Sequence, residues 1–188
     1  MSKLLVVVDY QNDFVNGSLG FPKAVELEEK IYQKCVNSFE EGNKIVFTYD
    51  THFEDYLETR EGKNLPVEHC IHLTEGHGLF GKIQFFLEEN HNSENIIQVL
   101  KASFGVELDR DYHKLFGGDD VTEIEIIGVV TNICVISNAV MFQAFFPEAT
   151  ITVDASLCAS FNDELHEKSL DVMEGLQVKV INRERKDV

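Results

Sequence analysis

The chain has 188 residues and carries 33 Asp and Glu against 16 Lys and Arg, which gives a formal net charge of -17. This length suits one domain with its own hydrophobic core, so a single domain is expected over residues 1–188. The acidic charge argues against nucleic acid or an anionic membrane as a partner, and no stretch resembles a signal peptide or a membrane-spanning helix, which predicts a cytoplasmic protein.

Short apolar runs alternate with helical patterns along the chain. Strands are predicted at residues 3–8, 44–49, 95–100, 149–153 and 176–181. A further strand, the fourth in chain order, is predicted at the beginning of the stretch 124–135. Helices are predicted at residues 22–41, from Cys134 to about 146, and at 163–174, and a long polar segment occupies about 53–81. This order predicts an α/β fold with three layers, α/β/α, around a central and mostly parallel sheet of about six strands with Rossmann-type winding.

Four predicted strand ends carry side chains suited to chemistry. They are Asp9, Asp50 with His52 two residues further on, Lys101 and Cys134. Ligands of parallel sheets bind beyond the C-terminal ends of the strands, so these side chains are expected to share one edge of the sheet. A charged residue after a strand is ordinary when it occurs once, and four such ends together favour a functional site.

Cys134 is predicted to open the helix after the fourth strand. Unpaired N–H groups and the helix dipole there favour a thiolate and could hold an oxyanion. The alternative is a small core residue, because free cysteines are mostly buried. Asp9 as the base, Lys101 as the cation and the amides near Val130 and Cys134 would complete what a cysteine nucleophile needs, which favours catalysis. The four cysteines show no CxxC spacing, so reduced thiols are expected.

Three motifs resemble those of the isochorismatase-like cysteine hydrolases, the family that includes nicotinamidases and pyrazinamidases. They are DYQNDF at residues 9–14, KASF at 101–104 and GVVTNICV at 128–135. The resemblance extends over nearly the whole chain and implies an isochorismatase-like fold. It also implies a homo-oligomer, since the family tends towards dimers and tetramers.

The resemblance assigns a role to each catalytic candidate. Asp9 would accept the thiol proton and pass it to the leaving amine, Lys101 would hold Asp9 and the thiolate in place, and Cys134 would attack the carbonyl. The family places a cis peptide at the position of Val129 and Val130. With that geometry, the N–H groups of Val130 and Cys134 would both point at the oxyanion.

Asp50, His52 and His69 form a second group of candidates, for a metal. Together they can supply one carboxylate and two imidazoles to a divalent transition metal and leave positions open for water or substrate. The D-T-H and P-V-E-H-C sequences resemble the nicotinamidase ligand motifs, with one extra residue between the proline and the histidine. Zinc is the metal this implies, with iron or manganese as alternatives. Glu58 or Glu61 could be a fourth ligand or a solvated loop charge.

The substrate is indicated mainly by the resemblance. Nicotinamidases hold the pyridine ring between aromatic residues that include a tryptophan, whereas this chain has no Trp and carries Leu65 near that place. Phe14 remains as a wall for the ring, and Tyr56, Phe53 or Phe104 are further candidates.

The expected function is therefore that of an amidohydrolase that converts nicotinamide and water to nicotinic acid and ammonia through a thioester, with a bound divalent metal. Within the same fold, the alternatives are another small amide, a carbamoyl compound or a vinyl ether as substrate. A non-catalytic member that binds a small ligand is the alternative of a different class. A redox-sensing thiol ranks last, because Cys134 has no resolving cysteine nearby in sequence.

Overall fold

Six parallel strands form the centre of the computed structural model, which describes residues 2–184. The strands are β1 (Ser2–Val8), β2 (Lys44–Asp50), β3 (Ile96–Lys101), β4 (Val121–Val129), β5 (Thr150–Ala159) and β6 (Lys179–Ile181). Their order across the sheet is β3-β2-β1-β4-β5-β6. The winding direction changes between β1 and β4, which is where sheets of this kind open a crevice for ligands. The predicted fold class is confirmed.

Helices cover both faces of the sheet. Within residues 2–184 they are α1 (Asn12–Val15), α2 (Pro22–Val25), α3 (Glu28–Glu40), α4 (Arg60–Asn64), α5 (Gly81–Asn90), α6 (Arg110–Phe116), α7 (Ile136–Phe145) and α8 (Asp163–Gly175). Helices α1, α2, α3 and α5 contribute to the core on one face, and α6, α7 and α8 to the core on the other. None of the helices described is long and apolar enough to cross a bilayer.

The first strand shows why its sequence is apolar at every position from Leu4 to Val8. Leu4, Val6 and Val8 face one layer of helices, and Leu5 and Val7 face the other. Successive side chains of a strand point to opposite faces, so a central strand covered on both faces reads as a continuous apolar run. This burial places the first hydrophilic residue after the strand at the edge of the sheet.

Several predicted boundaries differ from the structure. The helix predicted at residues 22–41 is divided into α2 and α3. Helices α5 and α6 were not predicted, and the last strand is only three residues long.

The fifth strand does not end at residue 153 as predicted. It continues to Ala159 after an irregular stretch, in which Asp154 Oδ1 accepts hydrogen bonds from the backbone N–H and the hydroxyl of Ser156. Asp154 therefore stabilises the bend of the strand, and the polar residue does not mark the strand end.

A glycine lets β1 and β4 approach each other just before the catalytic segment. Gly128 has a φ of 115°, a conformation that L side chains rarely adopt. A Cβ atom there would overlap the backbone of Val8. The glycine of the GVVTNICV motif is thus needed for the close packing of the two strands whose ends carry Asp9 and Cys134.

Candidate active site

The ends of β1, β3 and β4 bring together the three residues that the sequence indicated as catalytic. Lys101 Nζ lies 2.8 Å from Asp9 Oδ2 and 3.6 Å from Cys134 Sγ. All three residues are buried, with exposed fractions of 0%, 4% and 3% for Asp9, Lys101 and Cys134. A carboxylate, an ammonium and a thiol that are far apart in sequence therefore form one contact group at the crevice between β1 and β4.

Asp9 is oriented by the backbone and by a neighbouring strand. Its φ of 46° turns the chain away from β1, and the hydroxyl of Thr48 donates to Asp9 Oδ1 at 2.6 Å. The other oxygen, Oδ2, forms the ion pair with Lys101 and, among the described residues, accepts no well-directed hydrogen bond. Oδ2 therefore keeps an unused acceptor position in the group that contains Lys101 and Cys134. Thr48 was missed by the sequence analysis, because nothing in the sequence distinguishes it from other strand threonines.

Cys134 lies in a single π-helical turn, Thr131–Val135, which we call the nucleophile turn. The preceding peptide bond, between Val129 and Val130, is cis. The N–H of Val135 donates to the carbonyl of Val130 at 3.2 Å, which closes the turn. Cys134 therefore does not open the α-helix, as the sequence suggested, because α7 begins only after this turn.

The charge state of the group follows from its burial. Burial raises the pKa of the Cys134 thiol well above its usual value, and Lys101 opposes this while Asp9 and Asp50 add to it. Burial also raises the pKa of Asp9, again against the effect of Lys101. The pKa of Lys101 is raised, because the nearby Asp9, Cys134 and Asp50 outweigh the effect of burial. The environment favours a neutral thiol at rest, contrary to the expected thiolate, and keeps Lys101 charged.

Next to this group, four side chains converge as potential metal ligands. Asp50, His52, Glu61 and His69 each offer a donor atom, and these atoms lie within 4.8 Å of one another. Asp50 Oδ2 is 3.0 Å from His52 Nε2 and 3.5 Å from His69 Nε2. The other ring nitrogen of His69 lies 2.8 Å from the carbonyl of Val67, which fixes its proton there and leaves the Nε2 lone pair facing the cluster. Two imidazoles and two carboxylates fit a divalent transition metal.

Two side chains of the DYQNDF motif form hydrogen bonds with the backbone that carries the potential metal ligands. The buried side chain of Gln11 accepts a hydrogen bond from the N–H of Asp50 at 2.8 Å and donates to its carbonyl at 2.9 Å. Asp13 Oδ2 accepts from the N–H of Cys70 at 2.7 Å, which holds the loop that carries His69. The sequence analysis used this motif only for its resemblance and did not identify these two supporting roles.

Asp50 joins the two groups. One of its oxygens, Oδ1, lies 3.2 Å from Lys101 Nζ, and the other faces the two histidines. Burial raises the pKa of Asp50, but the neighbouring His52 and His69 and the charge of Lys101 hold it well below its usual range. Asp50 is therefore a carboxylate in this structure, and a metal site would share it with the catalytic group.

A cleft of about 310 Å³ opens beside the metal cluster. Its walls are formed by Thr51, His52, Phe53, Asp55, Tyr56, Thr59, Arg60, Glu61, Ala102, Ser103 and Phe104. The rings of Phe53 and Phe104 are partly exposed there. Phe14 is instead buried against the ring of His69, with centroids 5.4 Å apart, and Leu65 is not part of the cleft wall.

Comparison with known proteins gives consistent matches over nearly the full length. A family model described as the isochorismatase domain matches residues 3–185. An uncharacterized isochorismatase family protein, PncA of Bacillus subtilis (strain 168), is 31% identical over 170 residues, which cover 88% of this chain and 91% of the relative.

Two solved structures show the same architecture. The nicotinamidase PncA of Bacillus subtilis has a TM-score of 0.84 at 30% identity, covering 96% of this chain and 99% of its own. A pyrazinamidase of Pyrococcus horikoshii, solved in complex with zinc, has a TM-score of 0.81 at 24% identity, covering 97% of this chain and 100% of its own. The second similarity concerns the fold alone.

Proposed function

The chain belongs to the isochorismatase family, and from this premise we propose that it hydrolyses nicotinamide to nicotinic acid and ammonia. The predicted enzyme class, an amide hydrolase, is confirmed by the relationship to the nicotinamidase of Bacillus subtilis. The observation that carries the proposed mechanism is the convergence of the buried Lys101 ammonium on Asp9, Cys134 and Asp50.

The first half of the reaction forms a thioester. Cys134 Sγ attacks the amide carbonyl while Asp9 Oδ2 takes the thiol proton, because a neutral thiol must lose its proton as the C–S bond forms. The N–H groups of Val130 and Cys134 would donate to the resulting oxyanion. Asp9 then passes the proton to the leaving nitrogen, the C–N bond breaks, and ammonia departs.

The second half consumes one water molecule. Asp9 takes a proton from the water as the oxygen attacks the thioester carbonyl, the C–S bond breaks, and the proton returns to the sulfur. Lys101 Nζ stays charged throughout, because the pKa of this ammonium is raised by its neighbours, and it balances the negative charge that moves between Asp9 and the sulfur. The products are the carboxylic acid and a restored thiol.

We further propose that Asp50, His52, Glu61 and His69 hold a divalent metal, zinc first and iron or manganese as alternatives. When bound, such an ion would offer open coordination positions to a donor atom of the substrate or to water. The zinc in the pyrazinamidase of Pyrococcus horikoshii is consistent with this choice. Glu61 is included because its carboxylate lies 3.7 Å from His52 Nε2, whereas Glu58 lies outside the group.

Replacing Glu61 by alanine should weaken zinc binding by about 10- to 100-fold, because one carboxylate ligand is lost. The measurement is zinc affinity by competition with a chromophoric chelator. Glu58→Ala is the matched control, since it removes an exposed carboxylate three residues away and should bind zinc as the wild type does. Equal zinc affinities for the two variants would exclude Glu61 as a ligand.

The proposed reaction is tested by ammonia release from nicotinamide, with nicotinic acid quantified and metal content measured on the same sample. Equal amounts of ammonia and nicotinic acid are expected, with a heat-denatured sample as the control. If zinc-loaded, folded protein releases no ammonia from nicotinamide, this substrate is wrong. A panel of pyrazinamide, other small amides and carbamoyl compounds would then identify the substrate class, since the cleft wall presents the rings of Phe53 and Phe104 and the chain has no tryptophan.

The cytoplasmic location and the homo-oligomeric state expected from the sequence stay predictions. Sedimentation of the purified protein would test the second of them.

A further inference from the structure

The nucleophile turn is held from its outer side by residues that the mechanism does not use. His166 Nδ1 lies 2.8 Å from Thr131 Oγ1, and the hydroxyl of Ser160 donates to Asn132 Oδ1 at 2.6 Å. His166 belongs to α8 and Ser160 follows β5, so two separate parts of the fold reach the first two residues of the turn.

The hydrogen bond between His166 and Thr131 lies close in sequence to the residues of the proposed oxyanion site. Thr131 is fully buried and directly follows Val130, whose N–H would bind the oxyanion, and Cys134 is three residues further on. A buried hydroxyl that loses its hydrogen-bond partner is destabilised and tends to reorient. A shift of Thr131 would therefore move both ends of the oxyanion site together.

The geometry points to His166 as a positioning residue: we propose that its hydrogen bond to Thr131 sets the orientation of the nucleophile turn, and through it the amides of Val130 and Cys134. The effect of this hydrogen bond on turnover rests on the proposed function, whereas its effect on the position of the turn does not. His166 itself lies on the outer side of the turn, on a wall of a separate cleft formed by α2, β5 and α8. It acts through Thr131 and does not touch the substrate.

A double-mutant cycle tests the assignment. The variants are His166→Ala, Thr131→Val and the double variant, together with His166→Asn, whose amide can occupy the place of Nδ1. Lys168→Ala is the matched control, because Lys168 lies on the same helix and forms an exposed ion pair with Glu164. Two readouts are used: kcat and KM for the amide substrate, and hydrogen exchange of the backbone amides of residues 130–135 by mass spectrometry.

We expect His166→Ala to lower kcat by about 10- to 100-fold with little change in KM. The displaced amides of the turn would stabilise the transition state less, whereas His166 does not contact the substrate. His166→Asn should recover most of kcat, and Lys168→Ala should match the wild type. The double variant should be no slower than Thr131→Val alone, since both changes remove the same bond. The amides of the turn should exchange faster in His166→Ala.

The proposal is wrong if the losses in kcat of the two single variants multiply in the double variant. It is also wrong if Thr131→Val leaves kcat unchanged, and this second test remains if His166→Ala does not fold. If the wild type hydrolyses no amide, the proposed function fails, and hydrogen exchange alone decides the inference. In that case, faster exchange in the turn of His166→Ala but not of Lys168→Ala supports the positioning role. Unchanged exchange of the turn contradicts it.

Discussion

Replacing Cys134 by alanine is expected to reduce amide turnover by at least about 10⁴-fold, because the sulfur that would form the covalent intermediate is lost. The fold should be retained, since the change removes one sulfur atom from a buried site. Ammonia release measures the first effect, and circular dichroism with urea unfolding measures the second.

The matched control is Cys35→Ala, which removes a buried thiol of the same size from α3. Its turnover should equal that of the wild type, although its free energy of unfolding should fall by about 1–2 kcal/mol through lost packing. If Cys134→Ala keeps activity within tenfold of the wild type, the cysteine mechanism is wrong. A function that survives the substitution unchanged would favour a non-catalytic binding member of the family.

Lys101→Met should have the second largest effect, on both activity and stability. Lys101 Nζ contacts Asp9 Oδ2, Asp50 Oδ1 and the carbonyl of Ser103, and its loss removes the ammonium that pairs with both buried carboxylates. Removing one partner from a buried ionic group typically lowers the free energy of unfolding by about 3–5 kcal/mol. We expect a loss of that size at pH 7 by urea unfolding, and a fall in kcat of about 10³-fold.

The stability loss of Lys101→Met should depend on pH in a defined direction. Without the ammonium, burial and the charge of Asp50 raise the pKa of Asp9 further above its usual value of 3.8. A carboxyl whose pKa is higher in the folded than in the unfolded state binds a proton on folding, so the folded state gains stability as the pH falls below the raised pKa towards the ordinary value. The deficit relative to the wild type should therefore be smaller at pH 5 than at pH 7.

A surface lysine provides the control for this substitution. Lys3 forms an ion pair with Glu123 in an exposed position, so Lys3→Met should leave turnover unchanged and show no comparable dependence on pH. Lys101→Arg is the second variant, which keeps the positive charge if Lys101→Met does not fold. A deficit for Lys101→Met that is equal at pH 5 and pH 7 would contradict the assigned coupling between Lys101 and Asp9.

Two of the helices missed by the sequence analysis, α5 and α6, carried usable signals. In α5, the buried residues Ile83, Phe86 and Leu87 have the spacing of one helical face, but they directly follow a long polar segment and no element was predicted for them. In α6, the Asp109 side chain accepts hydrogen bonds from the N–H groups of Asp111 and Tyr112, as an N-cap does. Both helices are short, and their apolar faces become evident only against the sheet.

The sequence by itself determined the sheet and the residues at its edge. Strands that are covered on both faces must be apolar throughout, so the first polar residue after such a strand lies at the C-terminal edge, as Asp9 does. The rule has limits, because Asp154 lies within a bent strand whose continuation beyond it is also buried. Pattern alone cannot distinguish these two cases, since both show a polar residue after an apolar run.

Tertiary structure alone decided which side chains meet and in what charge state. Glu61 is one of many acidic residues between β2 and β3, and only the tertiary fold brings its carboxylate within 3.7 Å of His52 Nε2 and 4.0 Å of His69 Nε2. The raised pKa of the Cys134 thiol likewise depends on burial beside two carboxylates and one ammonium, which come from the ends of different strands. Local sequence specifies backbone conformation and apolar faces, whereas desolvation and charge pairing arise from segments that are distant along the chain.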